Sequence, residues 1–407
     1  MEDAYVKPKT ISIVIPSCLF RLVCFAAYNF AYILYMLSYI SQNIYLFLLF
    51  VFCCLNATIY FLSYLNQIGK TLGKRTLKLS LSYVVTFLVI SLGMQIFNGD
   101  FSSYLWVGLF RITLPIVSAF FWINTVKESE QKYFFDLLLL RFILHFLWSN
   151  LEHMNWQTLL SMSWSNSYSD FESSLAHDFF ILECYFLWKK ERKRSFISMI
   201  FCMLSMKRLS FVLAPLLFVF DLLPVYFPRF CKRIKFFQQE SKKRKVSSLW
   251  ANLLKIVVIV SPLFMVALYS PAGQDLFYSL FKKDLNVFMS GRVSIYYTLV
   301  EAIPYYNGYG SVNHFLSSYV ASVFGTYWNA VLHNDYIRIY LETGILGVIA
   351  ITHSLVELSR KEYWIFVMMV YLMVVAITSH IFNYFSVWVT FYMIVFQLNT
   401  EREKVFA

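Results

Sequence analysis

The chain has 407 residues, of which 59% are hydrophobic, 20% aromatic and only 14% charged, a composition too apolar for one soluble core and its solvated surface. This excludes an ordinary water-soluble enzyme and predicts an all-α polytopic integral membrane protein. A formal charge of +12 would suggest nucleic acid in a soluble chain, but the basic residues fall in short clusters between apolar runs, as in cytoplasmic loops, which argues against a nucleic-acid partner.

The first nine residues lack the form of a secretory signal, so the first helix is expected to be retained. A span needs about 20 apolar residues. In chain order the candidates are 17–38, 44–65, 79–97, 104–124, 133–151, 175–188, 195–206, 209–227, 249–269, 336–356, 362–382 and 384–399. That is about twelve transmembrane helices in a single membrane domain, residues 1–407, although the two stretches between 175 and 206 are short for spans. With the N-terminus inside, the intracellular loops collect Lys70, Lys74, Arg75, Lys78, Lys127, Lys132, the 189–194 cluster, the 229–245 cluster, Arg360 and Lys361. Loop by loop this obeys the positive-inside rule and puts both termini in the cytoplasm.

Two sizeable segments then lie outside, residues 150–174 and the longer 270–335. Loops of the second length in a compact membrane protein are usually functional. Within it, Ser290-Gly291-Arg292-Val293-Ser294-Ile295-Tyr296-Tyr297 reads as a helix with Ser290 as N-cap, ending before Pro304 and the turn Tyr306-Asn307-Gly308-Tyr309-Gly310. Arg292 sits in its first turn, where arginine opposes the macrodipole but where exposed N–H groups attract an anion such as phosphate.

Arg21, Arg111 and Arg141 fall inside predicted spans, where a central charge costs roughly 2.5 to 3.5 kcal/mol on insertion scales. Each must snorkel, pair, or face a cavity; His145, one turn after Arg141, favours a shared polar site there. Lys207 and Arg208 form the charged element of a short external turn, against the inward bias of the basic residues. They read either as an interfacial anchor or as ligands for a phosphate group. The seven cysteines, Cys18, Cys24, Cys53, Cys54, Cys184, Cys202 and Cys231, show no disulfide framework, and none pairs with a His at zinc-ligand spacing.

Residues 333 to 347 gather His333, Asp335, Arg338 and Glu342 just ahead of an apolar run. On one straight helix His333 and Glu342 are nine positions apart, about 900° of rotation, and so lie on opposite faces without forming a dyad. Asp335, Arg338 and Glu342 share a stripe, with Arg338 and Glu342 spaced for an i, i+4 ion pair worth tenths of a kcal/mol. Glu342 therefore reads as structural, whereas His333 faces the external segment. His153, His177, His314, His353 and His380 read as structural or surface groups.

His333-Asn334 with Glu342, Gly344 and Gly347, preceded by Ser290-Gly291-Arg292 and Lys207-Arg208, resembles the O-antigen polymerase and O-antigen ligase superfamily. The motif similarity covers residues 207 to 347. Tyr296 and Tyr297 stand where many relatives carry Trp, and Lys207 where Ser is common. The resemblance implies a GT-C-like glycosyltransferase of the bacterial inner membrane with a periplasmic active site. It would move a growing glycan from undecaprenyl pyrophosphate to another lipid-linked repeat unit, without metal, nucleotide sugar or other cofactor. The implied partners are the undecaprenyl-pyrophosphate-linked oligosaccharide, membrane lipids and a chain-length regulator. By the same resemblance Arg208 and Arg292 hold the pyrophosphate and His333 orients or deprotonates the attacking hydroxyl. Lys207, Arg338, Glu342, Arg141 and Tyr296 are candidate substrate-binding residues. Two other functions fit these features: an O-antigen ligase that transfers to lipid A core, and, from a different class, a lipid-linked oligosaccharide flippase. The long external segment argues against the flippase, while Arg21, Arg111 and Arg141 argue mildly for it.

Overall fold

The computed structural model describes residues 18–65, 72–99, 101–150, 173–233, 246–289, 291–302, 307–324 and 332–406. Among these the regular structure is helical throughout. A lipid-embedded backbone has no water to satisfy its N–H and C=O groups, and the helix satisfies them within one segment. Five helices come first: α1 (Cys18–Met36), α2 (Gln42–Leu65), α3 (Lys74–Asn98), α4 (Tyr104–Thr125) and α5 (Glu128–Asn150). They are followed by α6 (Leu175–Lys189), α7 (Arg192–Leu204), α8 (Arg208–Tyr226), the single turn α9 (Pro228–Cys231) and α10 (Ser248–Tyr269). Four short helices, α11 (Pro271–Phe281), α12 (Leu285–Phe288), α13 (Arg292–Ala302) and α14 (Ser311–Phe324), precede α15 (Asp335–Ser359), α16 (Tyr363–Thr378) and α17 (Phe385–Phe406).

The described residues of the apolar stretches picked out in the sequence are mainly helical, and among the described residues seven helices, α1, α2, α3, α4, α8, α10 and α15, are long and apolar enough to cross a membrane. Phe47, Val89, Leu216 and Phe264 leave large apolar side chains exposed on α2, α3, α8 and α10. Such faces belong to a membrane-embedded protein, since in water they would aggregate. The protein is thus a multi-pass membrane protein.

The centre of the bundle is α6, buried from Leu175 to Trp188, with α7, α16 and α17 packed on it. Aromatic rings fill this core; Phe135 stacks on Tyr185 at 4.0 Å and Phe180 on Tyr371 at 3.9 Å. Around it α3 and α10 pack on α15, α4 on α2 and α17, and α1 on α5. A second apolar cluster, including Met265, Tyr269, Leu285, Val293, Tyr296, Leu299, Val312, Leu316 and Ile337, holds the short helices α12 to α14 against α10 and the start of α15.

Three details depart from the sequence reading. Residues 333 to 347 are not one straight helix: α15 begins at Asp335, capped by the Asn334 side chain, which accepts from Ile337 N at 2.9 Å. The helix is then broken at Gly344, with φ 66° and ψ −172°. Space around Gly344 is open, so the backbone conformation itself demands glycine there. The stretch 362–382 stops being α-helical at Thr378, and residues 381–383 form a 3-10 turn. Arg338 is not ion-paired with Glu342 but with Asp335, one turn back, at 3.0 Å. Ser290, the expected N-cap, and most of 150–174 lie outside the described residues, as do 303–306 and 325–331.

Candidate functional site

One end of the bundle gathers the end of α1, the starts of α2, α4, α6 and α15, and the connection between α16 and α17 around a cavity of about 500 Å³. Its wall is aromatic and polar, with Tyr32, Tyr45, Tyr104, Tyr309 and Tyr384 beside Asn313, Asn383, His314 and His380. Two guanidinium groups reach it from different helices, Arg111 from α4 and Arg338 from α15.

Asp335 builds this end. Its backbone N–H donates to Ser379 O at 3.2 Å and its carboxylate accepts from Phe382 N at 2.8 Å, clamping the α16–α17 connection to the first turn of α15. The same carboxylate pairs with Arg338, which also donates to Asn383 Oδ1 at 3.4 Å and lies 5.6 Å from the centre of the Tyr309 ring. Breaking a buried pair of this kind leaves an uncompensated charge, so the geometry is strongly held.

Glu342 does a parallel job on the other side. Its Oε1 accepts from Val312 N at 3.2 Å, and its carbonyl accepts from Gly308 N at 3.1 Å. Tyr309 N donates to Ser91 Oγ at 2.8 Å, and the Tyr309 ring stacks on Phe87 at 4.8 Å. The turn at 307–310 is thereby pinned between α3 and α15. Gly308 has φ 95°, and a Cβ there would lie 2.9 Å from Ser91, so both conformation and space require glycine.

The clamp puts His333, two residues before Asp335, against His380, one residue after Ser379. Their Nδ1 atoms are 2.9 Å apart, with ring centroids at 4.5 Å and planes at 73°. Burial holds His333 below the ordinary imidazole range, and Arg292 and Lys207 add to the effect. Burial also pushes His380 down to about 3, with His333, Arg338, Lys207 and Arg292 contributing in turn. Both rings are therefore neutral at pH 7. These influences show that Lys207, 126 positions from His333 by residue number, and Arg292 share one electrostatic neighbourhood with the histidine pair.

The sequence-predicted residues thus divide. His333 meets His380 directly, and Arg292, Lys207 and Arg338 lie within electrostatic range of that pair. Arg292 is the first residue of α13, as expected. Arg208 opens α8 with its side chain exposed, and Lys207, the preceding residue, is the one that acts on the pair. Arg141 is buried on α5, with its guanidinium 4.3 Å from the centre of the Tyr32 ring, so it lies behind the cavity wall. Tyr296 packs against Tyr269 at 5.3 Å in the second apolar cluster and serves to hold α13. Glu342, a candidate substrate-binding residue in the sequence, is buried and bonded to the 308–312 segment. Arg21, far from the cavity, donates to Thr125 O and pairs with Glu130 at 3.4 Å.

His380 and Arg111 complete the cavity wall. The available signal for His380 was topological: it falls in the same external connection zone as His333 at the end of an apolar run. No family model, curated protein or solved structure matches the chain.

Proposed function

We propose that the protein is a membrane glycosyltransferase that polymerises lipid-linked oligosaccharide repeat units, an O-antigen polymerase. In this reading about twelve helices of a GT-C-like architecture cross the bacterial inner membrane, with the site on the periplasmic side. The growing glycan moves from undecaprenyl pyrophosphate to the terminal sugar of a second lipid-linked repeat unit. The observation that carries the reading is His380, bonded to His333 at 2.9 Å, in the wall of an aromatic and amide-lined cavity of about 500 Å³, with Lys207 and Arg292 within electrostatic range of the pair.

The chemistry requires these parts. As the glycosidic bond breaks, negative charge builds on the departing pyrophosphate, and fixed cations stabilise that state more than the bound substrate. Arg292 suits a phosphate oxygen pair because its fork binds two oxygens at once, whereas Lys207 acts as a point charge. Tyrosine rings and the side-chain amides of Asn313 and Asn383 offer stacking faces and hydrogen bonds of the kind a sugar uses. His333 serves the attacking hydroxyl through His380, its partner in the cavity wall.

A flippase remains a second reading because Arg111 and Arg338 place charge from two spans into one cavity. The lipopolysaccharide profile of a deletion strain separates the readings. Core carrying a single repeat unit with the ladder lost is the expected result. Core without any repeat would overturn the polymerase reading in favour of a ligase or flippase.

A further inference from the structure

An Nδ1–Nδ1 hydrogen bond constrains protons on both rings. One neutral ring must carry hydrogen on Nδ1 and keep its lone pair on Nε2; the other must offer a lone pair on Nδ1 and carry hydrogen on Nε2. At 2.9 Å the two imidazoles are within ordinary hydrogen-bond distance, so the pair holds one exposed lone pair and one exposed N–H. Of the two rings, His380 is the one in the cavity wall among the described residues. His380 is held there by the Asp335 clamp and by Tyr384, whose ring centre lies 4.8 Å away.

We propose that His333 and His380 act as one proton-accepting pair, in which His380 Nε2 takes the proton of an attacking sugar hydroxyl in the cavity and His333 shares the resulting charge through the Nδ1–Nδ1 bond. The step rests on the glycosyl-transfer reading above. The acceptor O–H bond breaks and an N–H bond forms at His380 Nε2, changing the pair from neutral to a single positive charge. The oxygen's electron pair forms the new bond to the donor sugar carbon. The bond from that carbon to the pyrophosphate oxygen breaks, and its electrons leave with the pyrophosphate. His380 is then the catalytic residue of the pair and His333 a positioning residue.

The groups around the pair fit this division. Lys207 at the start of α8, Arg292 at the start of α13 and Arg338 on α15 act on it, and His177 of α6 lies within electrostatic range of His380. The Asp335 carboxylate is engaged by Arg338 and by Phe382 N. Burial, with the three cations adding to it, keeps the resting pair uncharged and its lone pair available. A pyrophosphate anion docked against Lys207 and Arg292 offsets them, so the pair becomes a stronger base when the donor is bound.

The test uses the purified full chain with a lipid-linked oligosaccharide, comparing His380→Gln, His333→Gln and the double variant at equal amounts of monodisperse protein. His380→Gln should lower kcat by about 100-fold or more with KM little changed. The double variant should be no slower than the slower single one. Losses that multiply, or a His380→Gln enzyme with near-normal kcat, overturn the pair. His380→Asn replaces His380→Gln if the latter does not accumulate. A second measurement needs no turnover: diethyl pyrocarbonate labels neutral imidazole, and mass spectrometry reads each histidine across pH. His333→Gln should lower the pH midpoint of His380 labelling, because the ring that shares the positive charge is lost, and an unmoved or raised midpoint overturns the coupling. If the natural chain makes no polymer but the midpoint falls, the polymerase reading fails while the pair stands.

Discussion

The two ends of the helix bundle use charge in opposite ways. At the end holding the starts of α1, α5 and α7, cations meet carboxylates directly: Lys189 lies 2.7 Å from Glu401, Lys190 2.6 Å from Asp221, and Arg194 2.7 Å from Asp136 and from Glu191. Lys255 and Arg360 both pair with Glu357, at 2.7 and 2.8 Å. At the cavity end the carboxylates of Asp335 and Glu342 are turned onto backbone amides of neighbouring segments, while Lys207 and Arg292 act on a histidine pair. Pairing at the first end anchors the helices. At the second end, carboxylates also shape the backbone, Asp335 pairing with Arg338 while it holds Phe382 N.

That contrast breaks most visibly under substitution at the cavity end. Arg292→Ala and His333→Ala should each abolish the polymer ladder at normal protein level in a complemented deletion strain, whereas Arg194→Ala at the other end should leave it. An intact ladder in both cavity-end variants would remove the site assignment. Next in size, Asp335→Ala strips Arg338 of its buried partner and frees the α16–α17 connection. It should cost about 3 to 5 kcal/mol, read as a lowered midpoint of thermal unfolding in detergent together with loss of the ladder.

A smaller effect comes from acid. The folded-state values of His333 and His380 lie below that of an unfolded imidazole, so the unfolded chain takes up protons first as pH falls. Their contribution to stability is present above about pH 6.5 and is lost progressively below it. The melting temperature should therefore drop between pH 7.5 and 5, less steeply in the His333→Gln and His380→Gln double variant. Smallest of all, Lys190→Ala removes an ion pair whose lysine side chain is 54% exposed. Such pairs are worth about 0 to 1 kcal/mol, and neither the melting temperature nor the ladder should move measurably.

How legible the site was depended on how local its causes are. Arg292 at the first turn of α13 follows from neighbours in the chain. The role of Glu342 was not legible from rotation along one helix, since His333 precedes the start of α15 and the bonds of Glu342 to Val312 N and Gly308 N come from a distant segment. The ion pair was assigned to the wrong partner because i, i+3 and i, i+4 spacings both permit contact. Asp335 won because its carboxylate is also fixed by Phe382 N, a bond from a segment 47 residues away. His380 was passed over for the same reason: apolar continuity through 362–382 predicts one span, and its early end at Thr378 depends on the Ser379 carbonyl being taken by Asp335 N.

The sequence by itself determined that this is an all-helical, multi-pass membrane protein and where its apolar helices lie, because length and hydropathy are properties of contiguous residues and a lipid-embedded backbone has few alternatives. It also marked His333, Arg292 and Lys207 as polar groups in need of a reason. Only the tertiary structure decided that His380 stands opposite His333 at the wall of the cavity. That outcome hangs on the bonds of Asp335 to Ser379 and Phe382, between segments far apart in the chain, which no periodicity encodes.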